Sequence, residues 1–140
     1  MKLSRWLILT AAVALLATGC ASQTAREIGI DKLSLRQAEK TLNKGIHQYE
    51  DGDLKSAQKS LLDALHLGLT FDSDKVVAHK YLAFIYCSSN QEAPCRDDFR
   101  RAFELDPSFK LAPTEIGNPL WGPVYNGVRA ELVSQGKIKP

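Results

Sequence analysis

The sequence predicts an all-α domain made of two helical hairpins and a C-terminal helix that caps them. Three observations predict it: apolar residues recur at helical spacing, one set of small and aromatic residues occurs twice at matching offsets, and Gly52-Asp53 stands where the first helix must end. The first helix is expected to begin at Ser34-Leu35-Arg36-Gln37, which has the form of a capping box, with Leu33 and Ala38 placed as its hydrophobic staple. It should run to about Asp51, where Gly52-Asp53 breaks it. The second helix should extend from about Leu54 through Leu67, with Leu54, Ala57, Leu61, Ala64, Leu65 and His66 at helical spacing.

This hairpin resembles a tetratricopeptide repeat: Gly45, Tyr49, Gly52-Asp53-Leu54, Ala57, Leu61, Ala64, Leu65 and Leu67 fall at or next to that motif's signature places. A second copy spans residues 76–109, where Leu82-Ala83, Tyr86, Phe99, Ala102, Leu105 and Asp106-Pro107 keep the same offsets and Cys95 takes the place of Ala57. Corresponding positions lie 38 residues apart, so Asp72-Ser73-Asp74-Lys75 reads as an insertion that lengthens the inter-repeat turn, with Ser73 or Asp74 capping the next helix. Two repeats are fewer than the roughly three needed to bury a continuous solenoid core, so the exposed end must be covered. The expected cover is a helix opened by Pro123, with Val124, Tyr125, Val128, Leu132 and Val133 as its apolar face. The stretch from Phe109 to Gly122, with Pro113, Gly117 and Pro119 among Leu111, Ile116, Leu120 and Trp121, should be irregular but packed, and Trp121 should join the core.

Ahead of this body, Lys2 and Arg5 precede an uncharged apolar stretch from Trp6 to Ala17, which at 12 residues is too short to span a bilayer. Leu16-Ala17-Thr18-Gly19-Cys20-Ala21 then resembles the processing site of bacterial lipoproteins, although Ala17 stands where leucine is commonest. The resemblance implies a signal peptide over residues 1–19, acylation of Cys20, a lipidated tether over 20–32 and a helical-repeat domain over 33–140. Several acyl chains acting together hold a protein durably, where one holds it only marginally. Lipoprotein sorting retains at the inner membrane those chains with aspartate after the cysteine. Ala21 at that place implies the outer membrane, with the body facing the periplasm.

The chain carries 18 Lys and Arg against 16 Asp and Glu, and without Lys2 and Arg5 the two signs balance. That balance excludes nucleic acid as an expected partner and leaves the lipid anchor as the expected membrane contact. Neither catalysis, metal nor cofactor is expected. His47, His66 and His79 are scattered, no glycine-rich phosphate loop occurs, and Ser22 and Ser134 lie in no nucleophile motif. Asp51-Gly52-Asp53 and Asp72-Ser73-Asp74 lack the ligand series of a calcium loop and read as turns and caps. Arg96, Arg100 and Arg101 read as a solvated face neutralised by Asp97, Asp98 and Glu104 as ion pairs four residues apart.

Cys87 and Cys95 flank the turn of the second hairpin, and in an oxidising compartment two outcomes fit that placement: a bridge clipping the hairpin, or two buried thiols. In tetratricopeptide proteins the first helix of each pair lines a concave groove that takes peptides or partner helices. The matching positions here are Leu42, Ile46, Tyr49, Lys80, Tyr81 and Phe84, an apolar surface open either to a partner or to the protein's own Trp121 segment. The two repeats, the lipoprotein site, Leu105-Asp-Pro-Ser-Phe-Lys-Leu111 and Asn118-Pro-Leu-Trp-Gly-Pro-Val124 together resemble small lipoproteins associated with type VI secretion. That resemblance implies a scaffold for an envelope protein of a secretion complex. A pilotin-like escort of a secretin or pilus component, or an accessory to a cell-wall enzyme, are the alternative roles.

Overall fold

The computed structural model describes the backbone of residues 21–140 and the side chains of residues 36–140. The stretch read as a signal peptide and Cys20, the expected acylation position, lie outside the described residues. The chain divides into residues 1–33 and a helical body, Ser34–Pro140. Six helices occur among the described residues: α1 (Ala21–Glu50), α2 (Leu54–Leu67), α3 (Asp72–Ser88), α4 (Glu92–Leu105), α5 (Pro113–Ile116) and α6 (Gly122–Ser134). No strand is present among them, so the protein is all-α.

Two helix starts differ from the sequence reading. α1 runs through Ser34 instead of starting there, and residues 21–32 are already helical where a tether is expected. No proline interrupts that stretch, and a Ser-x-x-Gln spacing that could cap a helix is equally compatible with its interior. α3 begins at Asp72 with Phe71 at its N-cap, so Ser73 and Asp74 lie in the first turn and do not cap it. There the Asp72 and Asp74 carboxylates face the positive end of the helix dipole, and Lys75 Nζ reaches Asp72 Oδ1 at 2.8 Å.

α2 occupies the expected residues. Asp53 at its N-cap accepts from the Ser56 backbone N–H at 3.1 Å, and Gly52 and Gly68 adopt the left-handed φ values of 82° and 89° that end one helix and the next. Gly45 permits the close crossing of α1 and α2, because a Cβ there would stand 2.9 Å from Leu61 Cγ. Across the same crossing the Ser60 hydroxyl donates to Gln48 Oε1 at 2.7 Å.

The core has two parts. Ala38, Leu42, Ala57, Leu61, Ala64, Leu69, Ala78, Leu82 and Ile85 form an aliphatic cluster from α1, α2, the α2–α3 turn and α3. Phe84, Phe99, Phe103, Phe109 and Tyr125 dominate a second, aromatic cluster in which α6 closes α3 and α4. Tyr125 stands 5.4 Å from both Phe99 and Phe103, ring centre to ring centre, and its hydroxyl donates to the Phe109 carbonyl. Half-buried Tyr49, Tyr81 and Tyr86 contact both clusters.

Two of the three α4 arginines serve this closure. Arg96 and Arg100 converge on Glu131 of α6 at 2.8 and 3.1 Å, and Asp98 turns inward to His79 Nδ1 at 2.6 Å. Only Arg100–Asp97 is a local pair, three residues apart and not four. The face read as merely solvated is therefore largely a tertiary fastening.

Candidate functional site

The first helices of the two hairpins, α1 and α3, bring the expected groove residues together and divide them into two kinds. Leu42 and Phe84 are core, 4% and 2% exposed. Ile46, Tyr49, Lys80 and Tyr81 are half-buried and form the surface. Tyr49 and Tyr81 meet edge to face at 5.0 Å, with Phe84 6.2 and 6.0 Å from them.

The C-terminal segment covers Phe84. Trp121 stacks on its ring with centroids 4.2 Å apart and planes 23° from parallel, and the indole N–H donates to the Glu115 carbonyl at 2.8 Å. Lys80 Nζ bonds Glu115 Oε1 at 2.6 Å while lying 4.8 Å from the Tyr81 ring centre. Lys80 is thus tied to the protein's own segment on one side and to its own aromatic face on the other. The surface left beyond this strap is Ile46, Tyr49 and Tyr81.

Burial raises both phenols above their ordinary pKa of 10.0, with further upward pushes on Tyr49 from Tyr81 and Glu115 and on Tyr81 from Glu50 and Glu115. Both are neutral hydroxyls at physiological pH. Neither hydroxyl makes a hydrogen bond among the described side chains, which leaves two donors on a rigid aromatic ledge. The sequence indicated the ledge through its repeat positions. Glu115 is the member it did not indicate, because nothing in local spacing relates a residue of the irregular segment to a lysine 35 positions earlier.

Cys87 and Cys95 lie at disulfide-bonding distance, their Cα atoms 5.4 Å apart across the α3–α4 turn, so of the two outcomes the geometry is that of the bridge. Among the described residues no group of three or more His, Cys, Asp or Glu is placed to share a metal ion, and no helix is long and apolar enough to cross a membrane. No family model matches the chain, and neither does any curated protein or solved structure.

Proposed function

We propose that the protein is a lipid-anchored periplasmic scaffold, held at the outer membrane through Cys20, whose two tetratricopeptide-like hairpins dock another envelope protein, with a type VI secretion complex as the machine it serves. The observation that carries this reading is the Tyr49–Tyr81 ledge. It is a half-buried, preorganised aromatic surface with uncommitted hydroxyls, the combination of apolar body and polar tip enriched at binding hot spots. The bonding-distance cysteines support an exported body, since disulfides persist outside the reducing cytoplasm.

The test is crosslinking and pull-down from intact envelopes with wild type, Tyr49→Ala/Tyr81→Ala and Cys20→Ala. The double tyrosine variant should keep the helical circular dichroism spectrum and lose the captured partner. Cys20→Ala should lose fatty-acid label and leave the outer-membrane fraction. Undiminished capture by the tyrosine variant would reject the ledge, and an unlabelled wild type would reject the anchor.

A further inference from the structure

A second surface lies where the end of α4 and the loop after it meet the tail that follows α6. A shallow groove of about 570 Å³ runs there, with Phe109 and Ile138 in its wall and Lys110, Arg129, Lys137 and Lys139 along its edges. From Pro107 onward the chain holds two carboxylate side chains, Glu115 and Glu131. Both are engaged elsewhere, Glu115 by Lys80 and Glu131 by Arg96 and Arg100. The nearest acid before the groove, Asp106, accepts from the backbone N–H and hydroxyl of Ser108 at 2.8 and 2.6 Å. None of the four bases forms an ion pair among the described side chains. Asp106 stays ionised beside the groove, so four bases stand against one side-chain carboxylate next to them in the chain, and a body with balanced total charge concentrates net positive charge there.

We infer that this groove binds an acidic segment of a partner protein. Charge complementarity names the sign. Ile138 is buried while Lys137 and Lys139 on either side of it are exposed, so both ammonium groups stay open to carboxylates of that segment. A membrane surface fits less well, because the apolar groups are recessed and none projects to enter lipid: Phe109 and Ile138 are 7% and 8% exposed. The site is separate from the tyrosine ledge and stands whether or not the ledge binds a partner.

The experiment uses the full chain in nonionic detergent micelles and a fluorescent ten-residue peptide of alternating Glu and Ala, with the Gln–Ala peptide as its neutral counterpart. Saturable binding of the Glu peptide alone is expected, weakening with added salt. Lys110→Gln/Lys137→Gln/Lys139→Gln should lower affinity about tenfold, since it removes three exposed charge contacts. Lys40→Gln/Lys44→Gln/Lys55→Gln, an equal loss of exposed charge elsewhere, should leave affinity within about twofold. Absence of saturable binding, or an equal loss from both triple variants, would overturn the proposal. So would a result in which the groove lysines are shielded from acylating reagent by phosphatidylglycerol-doped micelles and not by the peptide, which would assign the groove to lipid.

Discussion

The two hairpins are built alike and held together differently. The first closes through small residues: Gly45 against Leu61, with Ala38, Ala57 and Ala64 fully buried in an aliphatic cluster. The second closes through large ones, with Phe84, Phe99 and Phe103 packed under α6, and through the Cys87–Cys95 pair. The difference teaches what two packed helical hairpins need. Where a helix meets the next helix, absence of side chain lets the backbones approach. Where the last hairpin meets the C-terminal helix, aromatic volume fills the space between them.

The largest break in that comparison should come from Phe84→Ala. Its ring is buried under Trp121 and beside Tyr81 and Phe99, so truncation should cost about 3–5 kcal/mol, a large part of the roughly 5–15 kcal/mol that stabilises a domain of this kind. Thermal denaturation measures it, and a loss below about 1 kcal/mol would mean that Trp121 does not cover Phe84 in solution. Next in size is Cys87→Ala/Cys95→Ala. Opening a loop of eight residues' separation should cost roughly 2–3 kcal/mol by loop-closure entropy, and reductant should lower the melting temperature of wild type but not of the variant.

A smaller effect sharpens the role of the first hairpin. At Gly45 an added Cβ would meet Leu61 Cγ at 2.9 Å and the Leu61 backbone nitrogen at 3.2 Å, so Gly45→Ala should destabilise by about 1–3 kcal/mol despite alanine's better helix propensity. Gly127 in α6 has only the tip of Arg96 at 3.5 Å, and Gly127→Ala should stabilise by up to about 1 kcal/mol. Opposite signs at two helical glycines would confirm that one is there for contact and the other is not.

The smallest effect concerns the clasp between α4 and α6. Hydrogen bonding from Arg100, then its charge and the bonds and charge of Arg96, hold the Glu131 carboxyl below its ordinary 4.5. Its contribution is therefore present above that value and lost as pH falls through the lowered folded value. Glu131→Gln should lower the melting temperature slightly near neutral pH, and the gap to wild type should close as pH falls below the ordinary 4.5. A gap that stays constant across this range would show that the pair adds nothing to the closure.

The hairpins were legible because their signals are local. Gly52-Asp53 marks the end of α1 by backbone conformation and capping chemistry, and α2 starts where it places it. The start of α1 was not legible at Ser34, since a cap is recognisable only when something upstream prevents the helix from continuing. Pro123 and the apolar face after it marked α6. Of the ledge, Tyr49 and Tyr81 follow from repeat position, but the assignment of Phe84 to the core and Lys80 to an ion pair required the fold of residues 113–121, where prolines and glycines carry no periodicity. His79–Asp98 and Arg96–Glu131 were hidden for the same reason, as pairs whose partners belong to different helices.

Because Trp121 is joined to α4 by the same chain, it competes for the Phe84 surface as a tethered occupant, at an effective concentration on the order of millimolar for a short flexible connection. A free peptide reaching for that ring would have to outbid a resident that cannot diffuse away. Weak ligands are thereby confined to the uncovered edge at Tyr49 and Tyr81, and only a ligand present far above its dissociation constant would displace the indole. The strap thus acts as an affinity threshold set by chain connectivity.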